Sequence, residues 1–327
     1  MRLLVMTLAL LASSAAFAQE RPSFDCAKAS NAVERTICKD PELAKADREM
    51  ALAYTALVGR LAGAAKEELV KDQGRWVGDR NRACTGDDET ITRCLKQRYG
   101  ARTATLRAFA DGPYPFVSEQ SLAKAGKLGK ITWSYEIGYP RFDGTTADFS
   151  ALNAAFANAA KKMADDAVPK ADSQTNFDQE WSYEQGFTLY RPGANSMTVA
   201  VQFYGYSGGA HGYGGTHCTL VDLRTGKAVG LDSVFAAGPQ WLRVMTQIVG
   251  ADLKKQFVEQ PGFDDALEPA KLSKLLGDSA RYCWRADKLE VIFNAYEVGP
   301  YSSGPYEVHI PYERMKPLLR PDGPISR

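Results

Sequence analysis

Asp111-Gly112-Pro113-Tyr114-Pro115 (DGPYP, 111–115) separates two textures in this chain. Two prolines and a glycine in five residues stop any regular element. Before this stop, apolar residues recur at helical spacing; after it, strand-like runs begin with ITWSYEIGY (131–139). A chain of 327 residues that changes its period at such a stop is expected to hold two domains.

Residues 26–110 read as helices. Asn31 followed by Glu34 makes a capping pair for a short helix ending near Cys38. Asp40-Pro41 opens a longer helix, a capping side chain followed by the residue favoured in the first turn. Leu43, Ala46, Met50, Tyr54, Leu57 and Leu61 then give one apolar stripe. Gly63 interrupts it. A helix carrying Leu69, Trp76 and Val77 runs toward Cys84, and a last one from about Ile91 to Phe109. On its helix, Trp76 sits four residues from Arg80, a spacing that suits a core position better than a contact.

A unit this small buries little surface, and four cysteines, Cys26, Cys38, Cys84 and Cys94, provide covalent staples. In one continuous helix residues 26 and 38 would lie about 18 Å apart, too far to bond. Cys26 must therefore precede the Asn31 helix and fold back on it. Cys84 and Cys94 flank the loop 85–90, which a bridge would close. The favoured pairing is Cys26–Cys38 with Cys84–Cys94; Cys38–Cys84 competes, because an antiparallel helix pair returns Cys84 near residue 40. Downstream, Cys218 and Cys283 each lie near the start of an expected strand, and adjacent strands would bring them into bonding reach. Two buried free thiols are the alternative.

The compartment agrees with disulfides. Arg2, the apolar run Leu3 to Ala12 and Ala16-Phe17-Ala18 have the form of a signal peptide cleaved after Ala18. The apolar run is short for a span of about 20 residues, and no lipid-attachment cysteine follows it. A periplasmic or secreted protein without a membrane span is expected. With 45% hydrophobic and 24% charged residues the chain is globular in composition, and a net charge of +1 gives no electrostatic case for nucleic acid.

The helical region resembles the LprI-type lysozyme-inhibitor domain. The resemblance rests on Asp25-Cys26-Ala27-Lys28-Ala29, Glu34, Cys38, Pro41-Glu42-Leu43, Asp47 and Tyr54, then Gln73-Gly74-Arg75-Trp76-Val77, Arg80, Cys84, Cys94, Arg102 and Leu106. It implies an exported helical module that in some relatives binds lysozyme. Members named for inhibition are often lipid-anchored, which this sequence does not support. Asp87, Asp88 and Glu89 are candidate contacts, an anionic turn suited to a cationic groove; a solvated loop tip is the plainer reading.

Beyond the stop, strands are expected at Ile131 to Tyr139, Gly186 to Tyr190, Met197 to Tyr206, His217 to Asp222, Leu289 to Tyr296 and Tyr306 to Ile310. Helical spacing appears at Ala147 to Met163, Pro239 to Phe257 and Pro269 to Leu276. Without βαβ alternation, this predicts an antiparallel sheet with helices packed on it. The fold class is then an all-α disulfide-stapled bundle followed by an α+β domain with a mainly antiparallel sheet. The boundaries are 1–18 signal peptide, 19–110 helical domain, 111–129 linker and 130–327 α+β domain.

The Gly-rich stretch Tyr204 to Gly215 leads to a strand ending in Asp222-Leu223-Arg224-Thr225-Gly226-Lys227, and Tyr296-Glu297-Val298-Gly299-Pro300-Tyr301 precedes the last strand. Together they resemble the RsiV-like C-terminal domain, over about residues 130–320. In RsiV that domain senses lysozyme within a membrane-spanning anti-sigma factor; here no span or cytoplasmic segment is expected, so sigma-factor regulation does not transfer. Tyr204, Tyr206, His211, Tyr213, Tyr301 and Tyr306 are candidate partner-binding residues on a Tyr/Gly/Ser surface. Their competing reading is tyrosines alternating into the core of a sheet.

No nucleotide loop lysine, nucleophile elbow or zincin helix is present. His211, His217 and Cys218 match no common zinc spacing, so no metal and no cofactor are expected. A pair of glycosidase carboxylates is not readable from sequence. The expected function is an exported binding protein of the cell envelope and not an enzyme, with a hydrolase of unrecognised site as the weaker alternative. Its partner would be c-type lysozyme or another cell-wall hydrolase, and peptidoglycan is the alternative.

Overall fold

The computed structural model describes residues 21–110, 115–144, 147–173 and 175–325. The expected signal peptide, 1–18, and the stop at 111–114 lie outside them. The described chain forms two compact units, one from residues up to 59 with 74–107, the other from 60–73 with 108 onward.

The first unit is helical, although residues 60–73, which include the start of α3, and the last turn of α4 count with the second. A 3-10 turn at Cys26–Lys28 precedes α1 (Ala32–Lys39), α2 (Pro41–Arg60), α3 (Gly63–Ala83) and α4 (Asp88–Ala110). Local chemistry sets the starts. The Asn31 side chain accepts from the Glu34 amide at 2.9 Å, and the Glu34 carboxylate accepts from the Ser30 amide at 2.7 Å; the Ser30 bond chiefly holds the Glu34 carboxyl below its usual value, against a smaller upward push from burial. Asp40 accepts from the Glu42 amide, with Pro41 in the first turn. The buried face of α2 is Leu43, Ala44, Asp47, Met50, Ala53 and Leu57. The expected stripe is thus present at Leu43, Met50 and Leu57, but a carboxylate, Asp47, stands inside it. Cys26 is bonded to Cys38 and Cys84 to Cys94, with Cα separations of 5.9 and 5.5 Å.

The second unit is α+β. A six-stranded sheet has the order β1 (Phe116–Leu128), β2 (Ile131–Asp143), β3 (Gln179–Gly193), β4 (Ser196–Tyr206), β5 (Tyr213–Asp222) and β6 (Lys227–Ala228). Residues 116–128, expected within a linker, are instead a full edge strand. β1 pairs with β2 in an unbroken antiparallel hairpin closed at Gly129, whose φ of +59° suits glycine. Every neighbouring pair is antiparallel except β2 and β3, which run parallel. This corrects the expectation of no βαβ unit: α5 (Ser150–Ala167) makes the crossover a parallel pair requires. It packs Ala160, Ala164 and Met163 against Ile137, Tyr183 and Phe203 on one sheet face.

After α6 (Leu231–Val234), helices α7 (Gln240–Gln256) and α8 (Pro269–Leu276) pack with a three-stranded antiparallel sheet of β7 (Tyr282–Trp284), β8 (Lys288–Phe293) and β9 (Tyr306–Pro311). Met245, Val249, Leu253, Trp284, Phe293 and Ile310 belong to its core. Cys218 of β5 is bonded to Cys283 of β7 at a Cα separation of 5.2 Å, joining the two sheets beside Ala200 and Ile292.

Candidate functional site

In the helical unit the anionic turn is built by capping. Asp87 is the residue before α4, and its carboxylate accepts from the Thr90 amide at 2.9 Å. The bonds to Thr90 lower the Asp87 carboxyl below its usual value. Asp88 and Glu89 occupy the first turn, where negative charge favours the helix dipole. Both are exposed, with Lys39 3.8 Å from Asp88 and Arg93 3.2 Å from Glu89. The Cys84–Cys94 bond closes the base of this turn, and Gly86 supplies the φ of +120° that starts it. The three carboxylates therefore sit on a cross-linked helix start.

Behind the turn is a buried polar network. Asp47 and Arg80 are 2% and 4% exposed and stand 4.0 Å apart. Tyr99 donates to Asp47 at 2.7 Å and accepts from Arg80 at 2.6 Å. The Ser23 amide and hydroxyl both donate to the other Asp47 oxygen at 2.6 Å. Trp76 lies between the guanidinium groups of Arg80 and Arg102, 5.5 and 5.8 Å from its ring centre. Three buried polar groups with mutually satisfied bonds, Asp47, Arg80 and Tyr99, fix how α2, α3 and α4 meet. Arg80 is thus part of the unit's interior, and half-buried Trp76 packs against it and Tyr99.

In the second unit the structure sorts the candidate aromatics. Tyr306 is 1% exposed and donates to the backbone oxygens of Gln260 and Pro261, so it is a core residue and not a contact. The alternation of β9 places it inward with Val308 and Ile310. Tyr204 is the register partner of Gly214, so Tyr213 projects from the opposite face. Tyr213 lies on the α5 side, where burial and the Asp166 carboxylate raise its phenol above the usual value. Tyr206 donates to Gly209 within the Gly-rich turn.

His211 and Tyr301 come together. Their rings stack at 3.7 Å and 13°. His211 Nδ1 lies 2.8 Å from the Gly212 oxygen, which only accepts, so Nδ1 carries a hydrogen. In the neutral ring, Nε2 then accepts from the Tyr296 hydroxyl at 3.1 Å. Tyr296 is the described non-glycine residue with positive φ, +71°, and is 58% exposed. Sequence reasoning placed it at the end of a strand; β8 stops at Phe293, and the turn that follows presents its ring to solvent. The Tyr-Glu-x-x-Pro-Tyr segment was the available signal for it.

The Asp222-to-Lys227 segment is a structural hairpin. Asp222 accepts from the Arg224 amide at 2.9 Å and from its guanidinium at 2.8 Å. Burial pushes the Asp222 carboxyl up, but the Arg224 bonds and charge hold it below its usual value overall. A depressed folded-state pKa gives stability above the unfolded value of about 3.9, lost as pH falls. Asp222→Asn is expected to destabilise this unit by about 1 kcal/mol at pH 7, since half-exposed Arg224 is partly screened. Melting curves of variant and parent should converge below about pH 4; a gap constant down to pH 3 would contradict the assignment.

Among the described residues Glu290, Glu307 and His309 could group around a cation. Lys288 lies 3.2 Å from Glu290, and Arg285 also pairs with it, so that carboxylate is already matched by positive charge. No described helix is long and apolar enough to cross a membrane.

Residues 26–106 match the family described as Lysozyme inhibitor LprI. Residues 232–313 match the family described as Protein of unknown function (DUF3298). The second match is narrower than the resemblance expected over 130–320: the Tyr296–Pro305 segment falls inside it, the Gly-rich turn before it. The chain is similar to the peptidoglycan-N-acetylmuramic acid deacetylase PdaC of Bacillus subtilis (strain 168), 23% identical over 224 residues. The alignment covers 67% of this chain and 45% of that protein, so the chain spans less than half the length of this relative. Among solved structures it is similar to a DUF3298 family protein from Pseudomonas aeruginosa PAO1 (17% identity, TM-score 0.47, 65% of this chain and 96% of that one). Another is a DUF3298 family member from Bacteroides fragilis NCTC 9343 (17%, TM-score 0.43, 64% and 95%).

Proposed function

We propose that this chain is an exported binding protein of the cell envelope whose helical unit engages a lysozyme-type muramidase, as inhibitor or scavenger. The observation that carries this reading is the match of residues 26–106 to the lysozyme-inhibitor family, over the segment that holds both disulfides of the helical unit. Disulfides support export, since they persist in oxidising compartments. Asp87, Asp88 and Glu89 supply the contact: a rigid anionic turn on a stapled helix start meets a cationic cleft with little ordering cost. The RsiV-like resemblance of the second unit supports the same class of partner through His211 and Tyr301. The likeness to a deacetylase supports a weaker, enzymatic reading; on the binding account, release of amines from peptidoglycan stays at background.

The test is inhibition of c-type lysozyme on cell-wall substrate by the full exported chain. Inhibition is expected near equimolar dose. The variant Asp87→Asn/Asp88→Asn/Glu89→Gln, which keeps a competent helix cap at 87, should inhibit about tenfold less, with a flatter dependence on salt. Equal potency of the variant would remove the anionic turn from the interface. Absence of inhibition by the parent at several-fold excess would remove the proposal.

A further inference from the structure

The six-stranded sheet has one face packed on α5; the other meets the second sheet at Ala200 and Cys218 and is open at its Glu136–Glu184 end. On the open face Glu136 of β2 and Glu184 of β3 are register partners, side by side and exposed. Like charges in adjacent strand positions work against sheet pairing, and among the described residues neither carboxylate has a hydrogen bond or ion pair. Two positions further along each strand stand Gly138 and Gly186; a Cβ at 186 would meet nothing within 4 Å. The result is a groove of about 430 Å³ with a glycine floor, bounded by Glu119, Ser121, Gln202 and Tyr204. That size falls within the roughly 300–1,000 Å³ of small-ligand clefts.

Aromatic rings continue from its rim. Tyr204 is 49% exposed, and its hydroxyl end lies so close under Gly212 that no side chain fits there. Gly212 carries the adjoining His211, stacked on Tyr301, with Tyr296 tilted toward both at 6.1 and 5.8 Å. Around this ledge the chain is Ser207, Gly208, Gly209, Ser302 and Ser303, with no aliphatic pocket of the kind that anchors a protein hot spot. Ring faces with polar edges, next to a flat groove of carboxylates and amides, fit a ligand that is apolar on its faces and hydroxylated at its rim.

We propose that the groove and its aromatic ledge bind a hexosamine chain. Pyranose C–H faces stack on Tyr296 and Tyr204, and hydroxyls bond to Gln202 and Glu119. An unacetylated amine is held by the Glu136–Glu184 pair, whose uncompensated charge selects ammonium over acetamide and disfavours carboxylate-bearing sugars. This goes beyond lysozyme engagement, whose charged contact is assigned to Asp87, Asp88 and Glu89 of the helical unit.

Calorimetric titration of the full exported chain with glucosamine tetramer and N-acetylglucosamine tetramer tests it. The amine-bearing tetramer should bind at least tenfold more tightly. Glu136→Gln/Glu184→Gln, which relieves repulsion and so folds at least as well as the parent, should bring the two sugars within about twofold. Tyr296→Asn, with a residue that tolerates positive φ, should weaken both about fivefold or more without changing the melting temperature. Binding of neither tetramer overturns the proposal, as does a preference that survives the double glutamine variant. Loss of lysozyme inhibition in these variants, with no sugar bound, assigns the face to a protein instead. Lysozyme inhibition by the parent is a separate reading, so failure of the sugar titration leaves it standing.

Discussion

Replacing Asp47 with alanine should destabilise the helical unit by about 3–5 kcal/mol, the cost of leaving a buried charge without its partner. Asp47 receives the Tyr99 hydroxyl and two donors of Ser23, and it stands 4.0 Å from Arg80. Alanine removes all of these acceptors at once. Arg80 would be left in a 4% exposed site with only Tyr99 and the neighbouring Asn81 side chain as hydrogen-bond partners. Asp47→Asn keeps an acceptor of similar shape and loses the charge, so its cost should be smaller. In the double variant Asp47→Ala/Arg80→Met the stranded cation is gone, and part of the loss should return. Because the chain has two units, a single unfolding free energy is not defined. Hydrogen exchange at amides of α2 and α4, followed in urea, isolates the helical unit. Equal protection in the parent and in Asp47→Ala would contradict the keystone role.

Removing the Cys218–Cys283 cross-link is the second large effect. The bond closes a loop of 65 residues, for which chain entropy predicts about 4 kcal/mol, against roughly 3 kcal/mol for the 10-residue loop of Cys84–Cys94. Alanine at both positions keeps small apolar side chains beside Ala200 and Ile292, so the packing loss is minor. With an m-value of roughly 2–3 kcal/mol/M, the urea midpoint of the α+β unit should fall by about 1.5–2 M. A fall of less than 0.5 M would contradict this, because the unfolded chain would then gain little freedom from losing the bond.

Much of the fold was readable because local signals were strong. Asn31 with Glu34, and Asp40 with Pro41, name the starts of α1 and α2 by capping chemistry. The run Met197 to Tyr206 marks β4, and alternation in Tyr306 to Ile310 marks β9. β1 was not readable: Ser118 to Leu128 mixes serine, alanine, glycine and lysine, weak strand formers that are tolerated on an exposed edge. The β2–α5–β3 crossover was hidden by the irregular stretch between α5 and β3, which breaks the usual βαβ spacing. Tyr306 was misplaced because its neighbourhood in sequence, not its strand parity, suggested surface. Two features of the proposed sugar site could not be read at all. The pairing of Glu136 with Glu184 depends on the register of a parallel strand pair, and the outward ring of Tyr296 depends on one positive φ.

The central proposal is that the helical unit is a lysozyme-binding module. Mixing the chain from Gln19 onward with c-type lysozyme, and measuring molar mass by light scattering across a size-exclusion column at physiological salt, tests this directly. A stoichiometric complex that weakens in high salt and with Asp87→Asn/Asp88→Asn/Glu89→Gln is the result predicted. Two separate peaks at all ratios, with lysozyme fully active in the mixture, would contradict it.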